Sequence, residues 1–141
     1  MTAFWDASAV LHLCVPGQAS SRARRVFRSA TPVVWWVTQV EVRSALARLQ
    51  RGGAISDAAY EASRQRLAAM LGAWKEILPV ESVRECALEQ LGRFPLRAAD
   101  ALQLAAATIW SGRNPRGRRF VSNDLQLGSA AREAGFAVLA A

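Results

Sequence analysis

Cysteine is scarce in this 141-residue chain: Cys14 and Cys86 are the only two, far apart and set among apolar neighbours. That count excludes a disulfide framework and a cysteine-rich zinc site, and it predicts two reduced thiols in the core. Long hydrophobic runs are missing too, so no transmembrane helix is expected. No basic leader precedes the apolar start, and Asp6 interrupts it; a cleaved secretory signal is therefore not expected and a cytoplasmic location is. Repeats, low-complexity tracts and linkers are absent as well. With 52% hydrophobic and 21% charged residues, the chain reads as globular, and its length predicts a single domain over residues 1–141 with a core that needs no staple.

Lysine is the other rarity. Lys75 stands alone among 18 basic residues, the rest being arginine, and the net charge is +7. The planar guanidinium fork suits phosphate, and such a balance favours an anionic partner. A GC-rich genome would also supply arginine freely, and charge by itself does not separate RNA from DNA or from an acidic protein.

What is present alternates between two periods. Residues 3–6, AFWD, read as a short buried strand, and SAVLHLCV as a helical start that Pro16 and Gly17 terminate. Over 18–30, Arg22, Arg24, Arg25 and Arg28 recur at spacings that give a helix a basic stripe. VVWWV at 33–37 predicts a strand covered on both faces, with Trp35 and Trp36 both in the core. Thr38 opens a helix that ends at Gly52 and Gly53. The longest helical pattern runs from Ser56 to about Glu76, and its stripe of Leu67, Met70, Leu71 and Trp74 suits either core or interface. A strand over 77–80, a helix from Ser82 to Gly92, a break at Pro95 and a helix from Arg97 to Trp110 follow. After the basic loop 111–119 come a strand at 120–122, a helix to Ala134 and a last strand at 137–139. This alternation predicts an α/β fold, a three-layer α/β/α sandwich around a mainly parallel sheet.

Aspartate is also rare, with four in the chain, and three of them mark element boundaries. Asp6 ends the first strand, Asp100 lies in the first turn of its helix, and Asp124 follows the strand at 120–122; Glu41 sits in TQVEVRSAL, three residues after Thr38. Each has a structural role available: a helix N-cap for Asp6, a Thr38/Glu41 capping box, and helix-dipole stabilisation for Asp100 and Asp124. Together they mean more, because ligands bind an open parallel sheet beyond the carboxyl ends of its strands. Carboxylates gathered there repel and lose hydration unless a cation offsets them. Mg²⁺ takes oxygen ligands and is often held by a few carboxylates with a substrate phosphate, which points to phosphodiester hydrolysis.

The order Asp, Glu, Asp, Asp, in the local forms DASAVL, TQVEVRSAL, LRAADALQLAAA and FVSNDLQLGSAAREAGF, resembles a PIN domain of the VapC type, the toxin of bacterial toxin-antitoxin pairs. The resemblance spans nearly the whole chain. It implies a PIN-like fold and a Mg²⁺- or Mn²⁺-dependent endoribonuclease that cuts tRNA, rRNA or mRNA and so inhibits translation. It also implies a VapB-like antitoxin and a homodimer. Carried over, Asp6, Glu41, Asp100 and Asp124 match the acidic metal-site positions and Ser8 the small hydroxyl residue after the first acid. Ser122 stands where the family often has threonine, which keeps the hydroxyl.

Two rivals are open to test. Phosphoaspartyl phosphatases and response-regulator receivers also carry an aspartate after the first strand, but they rely on a lysine near the later strands, and Lys75 is expected within the long middle helix. A non-catalytic basic RNA- or protein-binding module is the second, its acids merely capping helices. In that reading Arg113, Arg116, Arg118 and Arg119 of the loop join the basic helix in guiding RNA.

Overall fold

A computed structural model describes all residues, 1–141. Five strands form one sheet: β1 (Thr2–Trp5), β2 (Thr31–Trp35), β3 (Lys75–Ile77), β4 (Arg119–Val121) and β5 (Ala137–Leu139). Their spatial order is β3-β2-β1-β4-β5 and every pairing is parallel. Seven helices make the crossovers: α1 (Ala7–Cys14), α2 (Ser21–Ser29), α3 (Thr38–Arg51), α4 (Asp57–Leu71), α5 (Glu81–Arg93), α6 (Ala98–Trp110) and α7 (Leu125–Ala134). The chain winds outward from β1 to one side, then returns through α5 and α6 to wind outward on the other. The reversal between β1 and β4 is the switch point at which open α/β sheets form their crevice.

Strand alternation assigns the two faces. Ala3, Trp5, Val34 and Val121 point into a core with Val10 of α1, Val26 of α2, Leu46 of α3 and Leu67 of α4. Phe4, Val33, Trp35 and Phe120 point the other way, against Val83 of α5, Leu104 of α6 and Leu127 of α7. Because successive strand residues face opposite sides, three short strands suffice to seed two cores. The three-layer α/β/α sandwich is thus as expected, with a sheet that is parallel throughout.

Several boundaries differ from the sequence reading. β2 stops at Trp35, so Trp36 lies in the following turn and is 50% exposed; its aromatic neighbours made a strand end look like a strand middle. The long middle helix ends at Leu71, and Gly72 and Ala73 turn the chain into β3, which begins at Lys75, two residues before the expected strand. Lys75 is therefore a residue of an edge strand, exposed and outside the helix in which it was expected. Met70 and Trp74 are buried in the core, which decides for packing over interface. Both cysteines are free and buried, one in each core. No helix is long and apolar enough to cross a membrane.

Candidate active site

Asp6 follows β1 directly and caps α1. Its backbone is extended, its Oδ1 accepts from the Ala9 amide at 2.9 Å, and the side chain is 1% exposed. Ser8 donates to the same Oδ1 at 2.7 Å, and the Ser122 hydroxyl donates to Oδ2. Ser8 in turn accepts from the Asn123 amide at 2.8 Å, so the ends of β1 and β4 are laced together through Asp6. Asp124, capping α7, accepts from the Leu127 amide at 2.8 Å. Both aspartates thus perform the helix-capping role their positions allow, and both face one cleft while doing so.

Glu41 departs from the capping box. The N-cap of α3 is Val37, with no side-chain cap bond. The Thr38 hydroxyl and the Glu41 carboxylate instead both accept from Gln103 Nε2, each at 3.1 Å. Thr38 is buried under α6, which offers a donor from the side and leaves Glu41 turned toward the cleft rather than back to the helix start. Gln103 was not singled out in the sequence, although its position three residues after Asp100 returns it to the same side of α6.

Asp6, Glu41, Asp100 and Asp124 line a single cleft of about 480 Å³, with Ser8, Gln103 and Arg48. It opens at the carboxyl ends of β1 and β4. Burial pushes the Asp6 carboxyl up to about 6 against the hydrogen bonds from Ser122, Ala9 and Ser8, and Asp124 adds to the rise. Burial pushes Glu41 up to about 7, opposed by Gln103 and assisted by the charges of Asp100 and Asp6. Asp100 is raised by burial and by Asp124, with Arg97 opposing. Asp6, Glu41 and Asp100 thus each feel the charge of at least one other acid of the cleft. None of them takes part in the three ion pairs of the molecule, Arg64–Glu61, Arg84–Glu81 and Arg113–Glu89.

An oxygen-only donor set whose members repel one another and form no ion pair fits a hard divalent cation. No three of the acidic, histidine or cysteine side chains approach closely enough to hold one ion by direct bonds alone. Mg²⁺ does not require that, since it keeps several waters and is commonly bound through one or two carboxylates. The donors therefore fit a hydrated ion better than a fully dehydrated one.

No family model matches the chain, and no curated protein matches it. Solved structures do. VapBC2 from Rickettsia felis bound to a DNA fragment from their promoter superposes with a TM-score of 0.69 at 9% identity, covering 100% of this chain and 99% of that one. The fold is PIN-like. FitAcB from Neisseria gonorrhoeae gives a TM-score of 0.65 at 18% identity, with 99% and 96% covered. A toxin-antitoxin complex from Klebsiella pneumoniae gives 0.60 at 14% identity, with 86% of each chain covered. At these identities the likeness is one of backbone, and the PIN-like fold positions the four acids without assigning them work.

Proposed function

We propose that this protein is a Mg²⁺- or Mn²⁺-dependent endoribonuclease, the VapC-type toxin of a toxin-antitoxin pair, with a VapB-like antitoxin as its partner. One observation carries the reading: four carboxylates from four separate segments converge on one cleft at the switch point of a parallel sheet. Structures of the same fold that come from toxin-antitoxin complexes support the biological setting.

Bound there, the metal supplies polarisation of a phosphoryl oxygen and acidification of a water. Asp6, fixed by three hydrogen bonds, is the rigid member of the set. Asp124 is held by its helix cap and Asp100 by the first turn of α6. Glu41, oriented by Gln103, has its carboxyl pushed up to about 7 by burial, and a cation in the cleft would favour its ionised form. Arg48 at the exposed lip, with Nη1 on the Ser44 hydroxyl, is placed to receive a phosphate flanking the cut.

The test is cleavage of a mixed tRNA and rRNA pool by purified, antitoxin-free protein with Mg²⁺ or with chelator, beside Asp6→Asn and Asp100→Asn. Metal-dependent cutting that both substitutions remove is the expected result. That no three of the acids are grouped to hold one ion directly favours one alternative, a basic RNA- or protein-binding module without catalysis. RNA bound but left intact by folded protein with Mg²⁺ and Mn²⁺ would select it.

A further inference from the structure

A second concavity lies away from the acids. It is a groove of about 720 Å³ walled by Arg22, Arg25 and Arg28 of α2 and by Arg119 at the start of β4, with Val26, Ala137 and Leu139 among its lining residues. Positions 22, 25 and 28 recur every three residues, so one face of the helix carries a row of guanidinium groups about 9 Å long. Arg119 closes the row from the sheet, 91 residues after Arg28 in a different layer. None of the four has a carboxylate partner, since the ion pairs of the molecule lie elsewhere. Arg24, on the same helix, is turned aside to the Ala19 carbonyl. Four like charges brought round one hollow without a counter-charge leave a strong positive potential there.

We infer that this groove is a phosphate-backbone seat for a structured RNA, separate from the acidic cleft and engaging a part of the molecule remote from the cut. A regular row of guanidinium forks suits regularly spaced phosphates, and about 9 Å of helix face spans roughly two or three of them. The groove follows β5, whose last residue, Leu139, accepts from the Ser122 amide; the Ser122 hydroxyl is bonded to Asp6. Arg119 and Ala137 of the groove begin β4 and β5, whereas Asp6 and Asp124 of the cleft follow the ends of β1 and β4, so a nucleic acid that engages both has to run along the sheet, as a folded RNA can. That the anion is the substrate rests on the nuclease reading above; that the groove binds a polyanion does not.

The experiment reads binding without cleavage. A fluorescein-labelled tRNA transcript is titrated in chelator by anisotropy at NaCl concentrations between about 50 and 200 mM. Three proteins are compared: the parent, one with Arg22, Arg25, Arg28 and Arg119 all changed to Gln, and one with the exposed Arg66, Arg84, Arg93 and Arg132 changed to Gln. The groove variant is expected to lose roughly tenfold or more in affinity at the lower salt, and about three from the slope of log K against log salt. The single variants Arg25→Gln and Arg28→Gln, each checked by thermal melting, should lose about one unit of slope apiece. Equal losses in the two quadruple variants would overturn the seat, because net charge alone would then explain binding. Affinity for tRNA unchanged in the groove variant, with affinity for polyglutamate reduced, would reassign the groove to an acidic protein and overturn the RNA inference. Failure to cut any RNA, with groove-dependent binding intact, would count against the nuclease reading and leave the seat standing.

Discussion

Gln103 Nε2 stands 3.1 Å from Glu41 Oε1 and 3.1 Å from Thr38 Oγ1, so one amide of α6 orients the cleft carboxylate of α3 from 62 residues away. Its own Oε1 is buried without a partner. Gln103→Leu removes that unsatisfied acceptor together with the donor, so the melting temperature should change by only a few degrees. RNA cleavage or Mg²⁺ affinity should fall about tenfold to a hundredfold, the range for groups that orient a metal ligand. Loss of stability in proportion to activity would show that Gln103 serves packing alone.

Asp6 combines a helix cap with a cleft carboxylate, and two substitutions separate them. Asp6→Asn keeps the acceptor for the Ala9 amide and should fold normally while losing cleavage by about a hundredfold or more. Asp6→Ala also removes the cap and should cost about 1 kcal/mol further. Thermal melting beside the tRNA and rRNA assay checks both, and an active Asp6→Asn enzyme would end its assignment to the site.

Stability in chelator should fall as pH rises. The Asp6 carboxyl is raised from 3.8 to about 6 by burial, so the folded state holds more protons than the unfolded chain between those values. Its contribution is fully present below about pH 4 and is lost as pH climbs through about 6, by an amount on the order of 3 kcal/mol. Glu41, raised to about 7, extends the decline in the same direction toward neutrality. Mg²⁺ at pH 8 should restore part of the loss by binding the folded state, with proton uptake by the protein reversed as the ion enters. A melting temperature in chelator that is flat from pH 4 to 8, apart from effects shared by Asp6→Asn, would contradict this.

Gly135 ends α7 with φ at +113°, and a Cβ there would lie 3.2 Å from Pro115 Cγ. Gly135→Ala combines left-handed strain with a close contact and should destabilise by about 1–3 kcal/mol, lowering the melting temperature by several degrees. Gly17→Ala shares the positive φ but meets nothing within 4 Å, so it should cost less; equal effects would show that the Pro115 contact is relieved without cost.

Much of the molecule is legible in the amino-acid order because it is governed locally. The apolar strand Ala3–Trp5, the apolar run at 33–35, the cap at Asp6, the place of Asp124 at a helix start and the stop at Gly52 depend on neighbours a few residues away, and they suffice for an α/β/α sandwich with acids at strand ends. Where strong local signals competed, only the tertiary structure decided. Trp36 has the aromatic character of a strand residue but falls beyond the last pairing of β2, and Lys75 follows a helical stripe yet is drawn to the edge of the sheet by pairing with Val33. Thr38 and Glu41 carry the spacing of a capping box, but a buried amide from α6 offers the better partner. The gathering of the four carboxylates into one cleft, and of Arg119 with the arginines of α2, likewise depends on the order of strands in the sheet. That order follows from how distant segments bury their faces against one another, which spacing along a chain does not encode.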